Sequence, residues 1–396
     1  MRIVTRLLQG IALLFAVLLC LVPIGTAFPH AYGFGPFAGM FTLALGPWIC
    51  IVAAVGVSAA SWRWKARRSR LTAWIAAAFA IALIGTAAEL SVIASAVGRQ
   101  GIALDFAQAV AMRSEADAPR HRVVQYATIR GEAMPLVVVP PRSGSARPAP
   151  IFLYIHGGGF TTGRFDGRLP DFKWFASQGM VAISVEYPLS SRSRHLWNHT
   201  ANDVGCAVAW VAAHARSFGG DPMRIVLAGE SAGGNLALNV ALLSSAGRLR
   251  SSCGGQAPIP AAVVALYPAI DLAWIYDHPD RTVGGIGMDA GISYTGGTPS
   301  QVPERYAATS SFTYLHPGAP PTLIVVPGSD VLVPPDRTRE FAAAAGRLNN
   351  AVTLIEVPLA GHSFDMFPGS LGNQIIRQAT LDFLRARRLL AEPSPK

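Results

Sequence analysis

Charged residues and cysteines are scarce in this chain of 396 residues. Asp, Glu, Lys and Arg together make up 14% of it, and there are only four cysteines. Neither a C-x-x-C nor an H-E-x-x-H motif occurs. The sequence therefore gives no support for a structural or catalytic metal site, and we expect no cofactor.

Acidic residues are rarest in the first 98 positions, which hold seven Lys or Arg residues and a single acid, Glu89. This segment carries a net charge of +6 out of the +10 of the whole chain, which leaves +4 for the rest. A charge that small, spread over about 300 residues, forms no basic stripe of the kind that binds nucleic acid. We therefore expect no nucleic-acid partner.

Three long stretches of residues 1–98 are almost without charge: 7–28, 36–60 and 71–97. Each exceeds the roughly 20 residues that cross a bilayer as a helix, which predicts an N-terminal membrane region of about three transmembrane helices. The first stretch has a cleaved signal peptide as its alternative, because Arg2 and Arg6 precede it. Glu89 lies toward the outer end of the third stretch, and we expect its carboxylate to reach the membrane surface; a functional intramembrane acid is the alternative.

The segment between the second and third stretches gives the orientation. Residues 62–70 carry five positive charges and no negative one. Because basic loops stay on the cytoplasmic side, the third helix would carry the rest of the chain outward. We expect an integral protein of a bacterial cell membrane whose larger domain is extracytoplasmic.

The four cysteines fall into two groups by their location in the chain. Cys20 and Cys50 lie in the apolar stretches, where a small apolar residue is the default. Cys206 and Cys253 lie in the outward part, where a disulfide is permitted, but Cys206 falls in the middle of a predicted helix. The sequence leaves open whether these two residues pair.

Residues 121–390 alternate short apolar runs with helical patterns, which predicts a mostly parallel eight-stranded sheet with helices on both faces. Residues 99–120 are expected to be a linker, and residues 391–396 a disordered tail. One segment, 271–311, fits no strand-helix unit and is rich in Gly, Pro and aromatic residues. It is a candidate cap over an active site. The predicted strands are 122–129, 136–139, 151–155, 181–185, 225–228, 262–266, 323–326 and 352–357.

The strand at 224–228 runs directly into an Ala/Leu-rich helix through a G-x-S-x-G motif. A serine at such a turn is typical of a nucleophile elbow, in which the glycines allow a sharp backbone turn and the hydroxyl projects from the sheet. The alternative is that Ser231 is an ordinary helix N-cap. The five residues of the motif are Gly229, Glu230, Ser231, Ala232 and Gly233.

A glycine run follows the strand at 151–155. It reads His156-Gly157-Gly158-Gly159-Phe160, and successive backbone N–H groups in such a run can face an anionic oxygen. The run is therefore an oxyanion-hole signature. We expect His156 to hold the loop in shape through hydrogen bonds rather than to act as a base.

Two further residues that the chemistry of a serine nucleophile needs follow the last two predicted strands. Asp330 comes after the strand at 323–326, and His362 after the strand at 352–357. The order Ser, Asp, His along the chain is that of α/β-hydrolases. The alternatives are a plain turn residue for Asp330 and a loop histidine without function for His362.

With these motifs in order, the chain resembles the hormone-sensitive-lipase-like branch of the α/β-hydrolase carboxylesterases over roughly residues 120–390. The resemblance implies an α/β-hydrolase fold. It also implies Ser231 as nucleophile, His362 as base and Asp330 as the residue that orients it. Backbone N–H groups of Gly158, Gly159 and Ala232 would form the oxyanion hole.

The chain departs from that branch after the acid, where residues 330–334 lack a second Asp. This version looks more like feruloyl-esterase-like and kynurenine-formamidase-like relatives. The function implied is a membrane-anchored serine hydrolase that cleaves carboxylic esters, of small molecules or of lipids, through an acyl-enzyme. The alternatives are a transacylase at the membrane surface and an inactive membrane-tethered scaffold. The sequence leaves the oligomeric state open.

Overall fold

Eight strands form one sheet in the computed structural model, which describes residues 2–31, 33–112, 120–141 and 147–391. Their order across the sheet is β1-β2-β4-β3-β5-β6-β7-β8, and every neighbouring pair from β4 to β8 is parallel. The two pairs that involve β2 are antiparallel. The predicted α/β-hydrolase sheet is confirmed. Its strands are β1 (Arg122–Ile129), β2 (Glu132–Val139), β3 (Ala149–Ile155), β4 (Val181–Val185), β5 (Gly220–Glu230), β6 (Ala262–Leu266), β7 (Thr322–Pro327) and β8 (Val352–Val357).

The central strands are buried on both sides, which explains why they read as continuous apolar runs. In β3, Leu153 and Ile155 pack into the core on one face, and Phe152 and Tyr154 into the core on the other. This division follows from the alternation of side chains along a strand. Two helical layers are therefore needed to cover the sheet.

Helices cover both faces. Helix α6 (Thr200–His214), α7 (Ala232–Ser245) and α11 (Pro335–Arg347) contribute to one core, whereas α5 (Leu169–Ser177) and α12 (Leu371–Ala386) contribute to the other. The helical patterns of the sequence predict helices at 202–218, 232–245, 335–348 and near 371–390, which correspond to α6, α7, α11 and α12, and none at α5. The segment predicted as a cap contains three short helices, and 3₁₀ turns occupy Ala215–Phe218 and Ser311–Tyr314. The cap helices are α8 (Leu272–Asp277), α9 (Gly284–Thr295) and α10 (Pro303–Thr309).

Three long helices precede the sheet: α1 (Arg2–Ala27), α2 (Gly35–Arg67) and α3 (Arg70–Gly98). All three are long and apolar enough to cross a membrane. The expectation that Glu89 reaches the membrane surface stays a prediction. Its side chain is buried among the helices and accepts a hydrogen bond of 3.2 Å from the hydroxyl of Thr42, because neighbouring helices offer a polar partner that a lone span lacks.

The stretch predicted as a linker is partly ordered against the sheet domain. It contains helix α4 (Phe106–Ala111), and the Gln100 side chain bonds the backbone of Glu356 in β8 twice, at 2.8 and 3.0 Å. Residues 113–119 of that stretch, and residues 392–396 of the predicted tail, lie outside the described residues.

Cys206 in α6 and Cys253 form a disulfide, which settles the question that the sequence left open. The loop after α7 returns to the side of α6, so that residues separated by 47 positions come together. Cys20 and Cys50 are free thiols.

Candidate active site

Ser231 sits at the turn between β5 and α7 with φ 52° and ψ −118°, a conformation that strains any residue other than glycine. The two flanking glycines allow it. A Cβ atom at Gly229 would lie 2.3 Å from the carbonyl oxygen of Gly233, and one at Gly233 would lie 2.1 Å from that of Ile155. The serine precedes the first residue of α7, but its hydroxyl forms no capping hydrogen bond. The N-cap alternative therefore does not describe this side chain.

The hydroxyl of Ser231 instead lies 3.1 Å from Nε2 of His362. On the other side of the ring, Nδ1 lies 2.7 Å from Oδ2 of Asp330. Because a carboxylate only accepts hydrogen bonds, Nδ1 carries a proton and Nε2 is free to accept one from the serine. The structure thus brings together Ser231 and His362, which are 131 positions apart in the sequence. It also brings Asp330 to His362, from which it is separated by 32 positions.

Asp330 is held by the chain that follows it. Its second oxygen accepts hydrogen bonds from the backbone N–H groups of Leu332 and Val333, at 3.0 and 2.9 Å. These bonds fix the carboxylate plane and leave Oδ2 for the histidine. The side chain is fully buried, so solvent does not compete for it.

The electrostatics of the site favour a charged imidazole. Burial of the His362 ring opposes protonation, but the Asp330 carboxylate and its hydrogen bond, with the more distant Glu230 and Asp365, outweigh burial and raise the pKa of His362. A site built in this way stabilises the imidazolium that forms when the histidine takes a proton.

The glycine run lies beside the serine. Gly158 and Gly159 have φ of +111° and +60°, and a Cβ atom at Gly158 would lie 2.2 Å from the carbonyl oxygen of Thr162. Both residues and Ala232 line the same cavity as Ser231. Among the hydrogen bonds of the described residues, none is donated by the backbone N–H of these three residues. Three free donors beside Ser231 suit an oxygen that becomes negatively charged.

His156 lies behind the glycine run rather than in the cavity. Its Nδ1 lies 2.8 Å from the carbonyl oxygen of Gly157, and its Nε2 lies 2.9 Å from Oε1 of Glu186. The ring stacks on Tyr187, whose hydroxyl donates to the carbonyl of His156. These contacts tie the glycine run to the segment after β4.

A cavity of about 690 Å³ is lined by Ser231 and His362. The cap helices and the loop after β7 give it an apolar wall, which includes Leu272, Ile275, Ile286 and Leu332. Within the part of the chain that the structure describes, no group of three His, Cys, Asp or Glu side chains is placed to hold a metal ion. An apolar pocket with a few convergent polar groups suits a small organic ligand.

Sequence reasoning missed the charges beneath the elbow. The Glu230 carboxylate lies 2.9 Å from the Tyr267 hydroxyl and 3.5 Å from Arg168. Burial raises the pKa of Glu230, but Arg168 and the tyrosine hydrogen bond outweigh burial and lower it. Arg168 also pairs with Asp365. Apart from Glu230, which belongs to the G-x-S-x-G motif, no local pattern marks these residues, because they come from separate segments of the chain.

Comparison with known proteins gives the family. Residues 137–344, more than half of the chain, match the BD-FAE family model. The chain belongs to the BD-FAE family of α/β hydrolases. The match includes Ser231 and Asp330, whereas His362 lies beyond its end.

Several relatives of this BD-FAE protein are mycobacterial. It is similar to esterase LipC of Mycobacterium tuberculosis, with 28% identity over 57% of this chain and 55% of the relative. The probable carboxylic ester hydrolase LipM of the same organism is 30% identical over 55% of this chain and 50% of the relative. The chain thus spans about half the length of these curated relatives.

Solved structures share the fold. The esterase Est2 of Thermogutta terrifontis superposes with a TM-score of 0.57 at 23% identity. The superposition covers 72% of this chain and 98% of Est2. The remainder of this chain, more than a quarter of it, has no counterpart in that superposition.

Proposed function

We propose that this chain is a membrane-anchored serine esterase with Ser231 as nucleophile, His362 as general base and Asp330 as its orienting acid. The observation that carries the proposal is the hydrogen-bonded series Ser231, His362, Asp330, in which Ser231 and His362 line an apolar cavity. Membership of a family whose named relatives are esterases supports the reaction type.

In the first half of the reaction, Ser231 Oγ attacks the ester carbonyl carbon and its proton passes to Nε2 of His362. The carbonyl oxygen becomes an oxyanion, which accepts hydrogen bonds from the N–H groups of Gly158, Gly159 and Ala232. The tetrahedral intermediate collapses when the carbon–oxygen bond to the alcohol breaks. The imidazolium then gives its proton to the departing alkoxide, and the acyl group stays on the serine.

Water completes the cycle. His362 takes a proton from a water molecule, whose oxygen attacks the acyl carbon, and the same N–H groups stabilise the second oxyanion. The bond to Ser231 Oγ breaks, and the serine regains its proton from the imidazolium. The products are a carboxylic acid and an alcohol, with no net change in the enzyme.

The anchor and its orientation rest on three observations. Helices α1 to α3 are long and apolar enough to span a bilayer. Five positive charges at residues 62–70 favour the cytoplasmic side for the α2–α3 connection. The disulfide between Cys206 and Cys253 suits an oxidising compartment, because cytosolic thiols are kept reduced. The catalytic domain therefore faces away from the cytoplasm.

Turnover of p-nitrophenyl butyrate by the Ser231→Ala variant tests the nucleophile. We expect kcat to fall on the order of 10⁶-fold, since the rest of the machinery cannot act without the attacking oxygen. Ser193→Ala, at an exposed serine of the same domain, is the matched control and keeps full activity. A fluorophosphonate probe should label the wild type and Ser193→Ala but not Ser231→Ala. Full turnover by Ser231→Ala would rule out the assignment.

An alkaline phosphatase fusion after Gly98 tests the orientation. This reporter is active only outside the cytoplasm, so the fusion should be active, and one placed after Arg68 should be inactive. The reverse pattern would overturn the proposed orientation.

A further inference from the structure

The outer end of α2 lies directly against the loop that carries the proposed base. A Cβ atom at Gly39 would lie 2.2 Å from the carbonyl oxygen of Leu359 and 2.7 Å from the backbone nitrogen of Gly361. The two backbones are therefore in contact one residue before His362. A second contact follows, since the ring of Phe41 lies 6.2 Å from that of Phe367. The position of His362 along the membrane normal is thus fixed relative to α2.

The depth of the membrane along the three helices follows from their charges. Basic side chains mark the inner surface at Arg6 on α1, Arg63 on α2 and Arg70 on α3. A hydrocarbon core of about 30 Å takes roughly 20 helical residues. We count about 20 residues from each basic residue toward the outer side. The outer edge of the hydrocarbon core then lies near Thr26 on α1, Leu43 on α2 and Leu90 on α3.

Hydrogen bonds between the helices mark the same level independently. The hydroxyls of Thr26 and Thr42 lie 2.8 Å apart, and Thr42 donates to Glu89 at 3.2 Å. One residue from each helix takes part, and each lies within one position of the boundary counted from the charges. A buried polar layer is best tolerated at the edge of the hydrocarbon core, where the cost of a carboxylate falls.

Gly39 lies three residues outward of Thr42, which is about 4.5 Å along the helix axis. The headgroup layer of each leaflet is about 5 to 7 Å thick, given a total bilayer thickness of about 40–45 Å. The loop before His362 therefore lies within the headgroup layer. The hydroxyl of Ser231 lies 3.1 Å from Nε2 of His362, so Ser231 is about one side-chain length from that loop.

We propose that this site acts at the depth of the outer-leaflet headgroups, and that its substrates are amphiphilic esters whose acyl chains are presented by the bilayer. The inference rests on the proposed function, and it names the substrate class of the same site. The ester linkages of membrane amphiphiles lie at this depth, between the polar groups and the chains. A soluble ester has to reach the cavity from water instead.

Exposed apolar side chains around the site fit this location. Phe28 and Phe37 flank the connection between α1 and α2 and are 64% and 46% exposed. Met366, which follows the histidine loop, is 50% exposed, and Ile286 is 56% exposed although it also lines the cavity. Aromatic and aliphatic side chains at the interface contact lipid rather than water. The apolar wall of the cavity suits the acyl chain.

The test uses the full-length protein in phosphatidylcholine vesicles and two substrates. One is soluble p-nitrophenyl butyrate, and the other is a palmitoyl ester of methylumbelliferone held in the bilayer. Phe37→Glu should lower turnover of the palmitoyl ester about tenfold, because it places a charge where lipid is contacted. Turnover of the butyrate should be unchanged. Val123→Glu, at a residue 58% exposed on the opposite edge strand β1, is the matched control and should alter neither rate.

A direct measure of depth complements the rates. A dansyl fluorophosphonate attached to Ser231 should be quenched by lipids brominated near the headgroup end of the chain more than by lipids brominated at the chain end. Quenching by aqueous iodide alone would overturn the inference.

The outcomes separate the inference from the proposed function. Hydrolysis of the butyrate without hydrolysis of the bilayer-held ester overturns the inference and leaves the serine esterase standing. Equal losses on both esters in Phe37→Glu, or an equal loss in Val123→Glu, also overturn it. Failure to hydrolyse either ester overturns both.

Discussion

Arg168 forms ion pairs with Asp365 and with Glu230, the residue that precedes Ser231. The Asp365 side chain is fully buried, and that of Arg168 is nearly so. The Tyr267 hydroxyl lies 2.7 Å from the Asp365 carboxylate. Burial raises the pKa of Asp365, and the neighbouring Glu230 adds to the rise against the opposing effect of Arg168. One guanidinium thus pairs with three carboxylates, those of Asp365, Glu230 and Asp171.

Replacing Arg168 by Met should destabilise the catalytic domain by about 3 to 5 kcal/mol, because it leaves buried carboxylates without their counter-charge. Urea unfolding followed by intrinsic fluorescence measures the loss. Adding Asp365→Asn to Arg168→Met should recover part of the stability.

The control for this prediction is Arg192→Met, which removes a pair whose side chains are 85% and 68% exposed. Exposed pairs contribute about 0.2 to 1 kcal/mol, so this variant should unfold close to the wild type. A similar loss in both variants would contradict the role assigned to the buried pair.

Asp330→Asn should lower kcat for p-nitrophenyl butyrate on the order of 10⁴-fold, because an amide no longer holds His362 in the tautomer that accepts the serine proton. The substitution is nearly isosteric, so thermal unfolding should change little. Asp336→Asn, at an exposed acid of the first turn of α11, is the control and should keep its activity. A loss of less than about tenfold in Asp330→Asn would mean that another group orients the histidine.

The raised pKa of His362 predicts the pH dependence of the reaction. The protonated ring cannot accept the serine proton, so kcat/KM should fall as the pH decreases through that pKa. The midpoint of this acidic limb should lie above the ordinary histidine value of 6.5. The profile of initial rates against pH measures it, and a midpoint below 6.5 would contradict the charge balance described here.

Glu230 helps to raise the pKa of His362, so Glu230→Gln should move the acidic limb of the pH profile to lower pH.

The raised pKa of His362 also has a consequence for the stability of the folded protein. A group whose pKa is higher in the folded protein stabilises it at low pH, and this contribution is lost as the pH rises through the folded value.

Removing the disulfide should destabilise the domain. Cys206→Ser with Cys253→Ser opens a loop of 47 residues, for which the chain-entropy relation gives about 4 kcal/mol. A reducing agent should lower the melting temperature of the wild type toward that of the double variant and leave the double variant unchanged. Equal melting temperatures with and without the reductant would show that the bridge does not contribute.

Much of the architecture is readable from the sequence because its signals are local. A strand buried on both faces, such as β4, is a run of apolar residues, and its predicted ends at Val181 and Val185 are confirmed. The glycines at 229 and 233 predict a sharp turn because only they allow the backbones to approach. The order of the elements then predicts the α/β-hydrolase fold.

The sequence did not predict contacts that join distant segments. Arg168 and Asp365 are 197 positions apart, and no spacing links them. Nor did any spacing link Glu89 with Thr42 of α2, whose hydroxyl donates to its carboxylate.

The sequence by itself determined the sheet, the elbow at Ser231, the apolar helices and the candidate partners Asp330 and His362, because periodicity, turn chemistry and chain order encode them. Only the tertiary structure decided how Cys206 meets Cys253 and how α2 meets the histidine loop. These contacts depend on packing between surfaces that are complete only after the chain has folded. The level that we propose for the site relative to the bilayer depends on this second class, because it is argued from the contact of Gly39 with the histidine loop.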